Sequence, residues 1–223
     1  MPSTLRAVNN RPYWERKNTL DKLVDILSFF IHVPGIVLAV TIHEYTKAAA
    51  SHMLGDPTPK NQKRLTLNPF KHLDAAGFLL LFLFRFGWGK PVETRPFAYK
   101  KRKRDALIVY TLPSVLNLLI GALLGLAARF MPASADVSDV WTGFFTNMLI
   151  AGATINIGYF FFNLIPVHPL DGAQVLSVIK PEWGMKVKLR EPYLQIAMML
   201  MLCFGLLGQF FSGFITGIIG VIY

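Results

Sequence analysis

Apolar residues along this chain are gathered into long runs, and short basic segments separate the runs. The first run, LVDILSFFIHVPGIVLAVTI from Leu23 to Ile42, continues with a helical pattern through His43-Glu44-Tyr45-Thr46-Lys47 to about Leu54. At about 1.5 Å per residue it is long enough to cross roughly 30 Å of hydrocarbon. A second span is expected from Ala106 to Phe130, carrying Pro113 and Asn117, and a third from Trp141 to Ile165, carrying Asn147, Asn156 and Asn163. Pro166-Val-His168-Pro169-Leu-Asp171-Gly172 then interrupts a helix at membrane depth, where freed backbone groups must be satisfied by protein or by a water-filled cavity. A short segment from Ala173 to Ile179, a basic loop over 181–191 and a last run from Tyr193 to Tyr223 close the chain.

Residues 55–105 read as a loop, with the turn signals Gly-Asp-Pro-Thr-Pro and Leu-Asn-Pro. Inside it, GFLLLFLFRFGWG over 77–89 is too short to cross as a helix and is interrupted by Arg85, so a re-entrant or interfacial hairpin is expected. The pattern predicts an all-α integral membrane protein of about four transmembrane helices, with that hairpin and a broken helix at the Asp-Gly motif. Residues 1–22 form a basic tail, and residues 23–223 form a single membrane-embedded domain. The first run is read as a retained span, because it is long and has no small-residue cleavage site at its end.

Composition agrees: 53% of residues are hydrophobic and 16% charged, which excludes an ordinary soluble domain. The net charge of +10 comes from basic residues that flank apolar spans, so the implied partner is anionic lipid and not nucleic acid. The Lys-Lys-Arg-Lys-Arg run at 100–104 is read as a headgroup anchor, with Trp88 and Tyr99 as interfacial anchors. The basic 55–105 and 181–191 loops are placed in the cytoplasm by the positive-inside rule, opposite the 131–140 loop, which has no basic residue. The tail, with Arg6, Arg11, Arg16, Lys17 and Lys22, conflicts with this orientation unless it lies along the interface or a span is miscounted. The lone Cys203 excludes an intramolecular disulfide and a cysteine-based zinc site.

An ionisable cluster inside a membrane helix is a functional-site hypothesis by default. His43-Glu44 begins a metalloprotease pattern in which a second His four residues on shares the face of the first, because four residues advance about 400°. Here that position is Lys47. Asp171, on the interrupted helix, adds a carboxylate, and His43, Glu44 and Asp171 together form the polar set of a buried zinc site.

The chain resembles the site-2 protease family of intramembrane zinc metalloproteases, peptidase family M50, in particular its small bacterial branch. The resemblance rests on HEYTK at 43–47, LGDPTPK at 54–60, RLTLNPFKHLD at 64–74, FGWGKPV at 86–92 and NLIPVHPLDG at 163–172. It implies a multi-pass protein of a bacterial cell membrane that cleaves membrane-embedded or membrane-adjacent segments of other proteins. By that resemblance His43 is a zinc ligand, Glu44 the catalytic base, Asp171 the remote zinc ligand, and Asn163 and Asn117 polar groups near the substrate or the developing oxyanion. Two positions depart from the family: Lys47 replaces the second zinc histidine, and Asn117 follows Leu112-Pro113 where the family has Gly-Pro.

A protonated lysine has no lone pair for a metal and repels a divalent cation. Among the other histidines, His52 points to the opposite helix face and His32 lies roughly 16 Å down the axis. His72 reads as a structural loop residue, which leaves His168 as the candidate compensating ligand. Three functions therefore compete. One is a zinc protease. The second is a degenerate, metal-free homologue in which Lys47 pairs with Asp171 or Glu44 and membrane protein segments are bound without being cut. The third is a small channel or transporter, which would need two pseudo-symmetric broken helices where the sequence shows one clear break.

Overall fold

The computed structural model describes residues 13–84, 88–132 and 140–223. The first twelve residues of the basic tail, Arg85 in the apolar hairpin and residues 133–139 of the loop without basic residues lie outside them. The described residues form helices α1 (Tyr13–Met53), α2 (Thr58–Asn61), α3 (Ala75–Phe84), α4 (Arg102–Arg129), α5 (Val140–Asn163), α6 (Asp171–Ile179), α7 (Pro181–Leu189), α8 (Glu191–Cys203) and α9 (Leu206–Ile222). Among the described residues two helices, Arg102–Arg129 and Trp141–Asn163, are long and apolar enough to cross a membrane, and α8 with α9 makes a third if the bent pair is one span. The expectation of about four spans also counted α1, whose side chains before Phe30 lie outside the described residues.

Helices α1, α4 and α5 pack against one another at glycines. A Cβ on Gly35 of α1 would stand 2.8 Å from the Cα of Gly152 in α5, and one on Gly121 of α4 would stand 2.6 Å from Ile157 Cγ1. Small residues at such crossings let helix backbones approach where lipid offers no hydrophobic drive. The buried positions of α4 include Val109, Pro113, Ser114, Asn117, Gly121, Gly125 and Ala128, so Ser114 and Asn117 are carried in among small and apolar residues. Opposite it, Ile36, Ala39 and Val40 of α1 pack with Ile155 and Tyr159 of α5 and Leu81 of α3.

Several loops expected from the sequence are built more tightly. Helix α1 ends in a Schellman motif: Gly55, at φ +113°, donates to His52 O at 3.1 Å, and Asp56 donates to Ser51 O at 3.1 Å. The apolar stretch forms the short α3, opened by Asp74, whose Oδ1 accepts the Gly77 N–H at 2.9 Å. An antiparallel bridge between Leu73 and Gly89 returns the chain to where α3 began. The basic loop over 181–191 is instead helical: Pro181 occupies its first turn, where a missing N–H costs nothing, and Gly184 packs onto Ser177 of α6. The last apolar run is not one helix, since α8 and α9 meet at 68° around Gly205, which takes φ +69°. Tyr99 is not an interfacial anchor: it is buried, and its hydroxyl lies 2.9 Å from Ser51 Oγ.

The loop between α2 and α3 is tied to the segment after the bridge by a buried knot. Arg64 donates from Nη1 to Lys71 O at 2.6 Å and from Nη2 to Lys90 O, while Lys90 N–H donates to His72 O at 2.7 Å. His72 Nε2 donates to Thr66 O at 2.6 Å, and its buried Nδ1 has no partner for a second proton. Burial, reinforced by the Arg64 charge, holds the His72 pKa below its ordinary 6.5 against the opposing Thr66 hydrogen bond and Glu44 charge. The unfolded chain then binds more protons than the folded one below pH 6.5, so this contribution to stability is present above 6.5 and lost as pH falls. The melting temperature in detergent is expected to drop as pH is lowered from about 7.5 to about 5.5, and His72→Asn to flatten that dependence.

Candidate active site

Four helices deliver one polar side chain or more to a single buried point. His43, Glu44 and Lys47 come from one face of α1, Asn117 from α4, Asn156 from α5, and Asp171 from the first turn of α6. Each is buried. Gly172 lets α6 start here, because a Cβ on it would stand 2.3 Å from Leu164 O and 2.5 Å from Ile165 O.

The polar chain begins in α5. Asn156 Nδ2 donates one turn back to Gly152 O at 2.8 Å, which leaves its Oδ1 to accept from Asn117 Nδ2 at 3.0 Å. Asn117 Nδ2 also donates to Ala39 O at 3.1 Å. Both amide hydrogens of Asn117 are engaged, so its Oδ1 faces His43 Nδ1 at 3.0 Å and the imidazole donates from that nitrogen. The ring is held edge-on to Tyr159, 5.1 Å between centroids, and presents Nε2 to Asp171 Oδ2 at 3.0 Å. A ring that donates from one nitrogen to a supporting residue and aims the other at the centre is the orientation metal-binding histidines adopt.

At the centre stands Lys47. Its Nζ is 2.6 Å from Asp171 Oδ1 and 3.8 Å from Glu44 Oε1. The other Glu44 oxygen, Oε2, accepts the Val92 N–H at 3.0 Å. Gly89 lies against the same side chain, where a Cβ would stand 3.0 Å from Glu44 Cγ and 2.7 Å from Val40 Cγ1. Its N–H donates to the Tyr159 hydroxyl at 3.2 Å. Beside this centre opens a cavity of about 430 Å³, lined by Lys47, Asp171, Tyr110, Pro169, Gln174 and the stretch from Pro91 to Pro96.

Sequence and geometry then converge on one family. The model of the family described as Peptidase family M50 matches residues 29–208, a stretch that contains every residue of this site. The chain belongs to peptidase family M50. It is 32% identical over 161 residues, covering 70% of this chain and 71% of the relative, to the Bacillus subtilis (strain 168) protein named "Putative zinc metalloprotease YwhC". No solved structure matches the chain.

Within the M50 frame, the residues present can be tested against zinc. A catalytic zinc takes three protein ligands and leaves one position for water. His43 Nε2 and Asp171 Oδ2 offer two donors 3.0 Å apart, but the group that meets Asp171 Oδ1 at 2.6 Å is the Lys47 ammonium, which has no lone pair to give. Among the described residues no three His, Cys, Asp or Glu side chains are grouped to hold a metal ion. His168 therefore does not complete a set: it is half-buried on the turn before α6, with its carbonyl accepting from Gln195 Nε2 at 3.2 Å. This donor set does not fit a zinc site.

Asn163 is placed at the end of α5, where its Nδ2 donates to Tyr159 O at 3.0 Å, so it is tied to Tyr159 and not to His43 or Asp171. Asn117 is placed behind His43, with its Oδ1 3.0 Å from His43 Nδ1. Sequence reasoning noted Asn156 only as a polar residue in a span, and missed Tyr159 and the Val92 N–H altogether. The spacing of Asn156 and Tyr159, three residues apart in a helix, is the signal that both face one neighbour.

Removing one partner from a dry ion pair leaves the other charge exposed to the full desolvation cost, typically about 3–5 kcal/mol. Lys47→Met is expected to lower unfolding stability by that order. Adding Asp171→Asn to Lys47→Met should lower it by less than the sum of the two single changes, a coupling that a double-mutant cycle of unfolding in detergent micelles measures directly.

Proposed function

We propose that this M50 member holds segments of other membrane proteins and does not hydrolyse them. The observation that carries this reading is the 2.6 Å contact of Lys47 Nζ with Asp171 Oδ1, a cation where the family's chemistry needs a lone pair. Glu44 is drawn into the same arrangement: Oε2 accepts the Val92 N–H and Oε1 lies 3.8 Å from Lys47 Nζ, so the charge a general base would use is offset by the ammonium. Metal-assisted hydrolysis at neutral pH needs a lone pair to hold the ion that activates water, and Lys47 puts an ammonium without one against Asp171.

What remains is a binding architecture. The polar cavity at Lys47 is walled by residues 91–96, which form no strand and whose backbone groups can meet those of a bound segment. On the other side of the 164–170 turn lies an apolar groove of about 490 Å³, lined by Ile165, Val167, Met198, Met201, Leu207 and Phe211 among others. A membrane segment with an apolar helical part and an unwound end matches that pair of surfaces. The YwhC name favours a second reading, a zinc hydrolase that recruits another ligand, and the preserved orientation of His43 is compatible with it.

Elemental mass spectrometry of the purified protein separates the two. The expected result is no zinc in the parent, zinc in Lys47→His, and loss of that zinc when Asp171→Ala is added. Stoichiometric zinc in the parent, lost in Asp171→Ala, would overturn the proposal, and His168→Ala would then test the recruited ligand.

A further inference from the structure

The Schellman motif that ends α1 delivers Asp56 into the interior, where it is fully buried. Its Oδ1 accepts the Thr58 N–H at 2.9 Å, and its Oδ2 accepts Ser51 Oγ–H at 3.0 Å and the Arg95 N–H at 2.7 Å. Ser51 Oγ donates to Asp56, so the Tyr99 hydroxyl 2.9 Å away donates to Ser51. Three residues before Arg95, the Val92 N–H is held by Glu44 Oε2 at 3.0 Å.

The stretch 92–95 is thus pinned at both ends by buried carboxylates, one on α1 and one on the turn that closes it. Val92, Glu93, Thr94 and Arg95 all line the cavity. The side chains between the pins are anchored outward from them, Glu93 Oε2 accepting from Gln62 Nε2 at 2.7 Å and Thr94 Oγ1 lying 2.7 Å from the Tyr110 hydroxyl. Residues 91–95 belong to no regular element, and two fixed amides three residues apart leave the backbone between them little freedom, which defines the groups that meet the cavity. Hydrogen bonds to a buried carboxylate are stronger than neutral ones, and breaking one leaves a donor or an anion unpaired.

We propose that Asp56 is a positioning residue, setting the register of residues 92–95 against α1 and thereby the wall along which a bound segment lies. Its importance for binding rests on the function proposed above; its geometric effect does not, and can be read with no ligand present. Losing the Arg95 pin lets the segment slide, and the Val92 N–H then leaves Glu44, which is held from a different helix position.

The test is amide hydrogen exchange on the full-length protein in detergent micelles, resolved to single residues. In the parent, Val92 and Arg95 are expected to be protected to a matching degree; free exchange at Arg95 beside a protected Val92 would overturn the proposal without any variant. Asp56→Asn is expected to speed exchange at both amides about tenfold, the scale of one charge-assisted hydrogen bond. Core amides such as Val109 and Ile155 should keep their protection. Ser51→Ala, which removes a different bond to the same carboxylate, is expected to leave Val92 protected. Faster exchange at Arg95 alone, faster exchange throughout the core, or an equal loss at Val92 in Ser51→Ala would each assign Asp56 to the helix end only. A failure here leaves zinc content unchanged, so it is separate from a failure of the binding function.

Discussion

Asp171 is an anion with almost no water to solvate it, and the architecture around it is the set of groups that do what water would. Lys47 takes one oxygen and His43 Nε2 lies 3.0 Å from the other, while the start of α6 turns its positive end toward the same carboxylate. Those partners come from α1, and they are aimed by α4 and α5 through Asn117 and Asn156. The glycine crossings Gly35 to Gly152 and Gly121 to Ile157 matter for this reason: a chain of hydrogen bonds each near 3 Å long cannot span helices held a methyl group further apart. Packing and polarity are one constraint here, read from two sides.

In that setting Lys47 is more than a missing ligand. A divalent ion and an ammonium both answer the same local need, to offset two carboxylates in a dry place, and both can hold α1 to α6. They differ in what they leave for chemistry. A metal keeps a coordination position for water, whereas the ammonium has hydrogens only and engages Glu44 as well as Asp171. On the proposed reading the centre of this M50 member holds an ammonium in the place of a metal, with the same part in stability and the opposite consequence for reactivity, and family membership alone does not decide activity.

The spans and the charged centre were legible in the sequence because both break strong rules. Long apolar runs bound α4 and α5 to within a few residues, and His43, Glu44, Lys47 and Asp171 stood out as ionisable residues where hydrocarbon was expected. What escaped was carried by groups without a side-chain signature. The Val92 N–H is a backbone donor on a stretch with no periodicity, and nothing in its letter indicates Glu44. Pro181 and Gly184 punctuate a loop in most contexts, but a first-turn proline and a glycine pressed on Ser177 are helix features that only the neighbour reveals. The bend at Gly205 was hidden by equal hydrophobicity on both sides of it. Tyr99 misled because a tyrosine suits an interface and a buried hydroxyl network equally well, and Ser51 decides between them.

Distance along the chain adds a consequence for how this centre comes into being. His43 and Asp171 are 128 residues apart. At a synthesis rate of roughly 5–20 residues per second, α1 is complete for roughly ten seconds before its anionic partner exists. During that interval Glu44, one turn back on the same helix, is the carboxylate placed to offset the Lys47 charge. When α6 arrives, Asp171 joins the pair while Glu44 stays 3.8 Å from Lys47 Nζ, so the contact within one helix is the earlier of the two and the contact between helices is added to it.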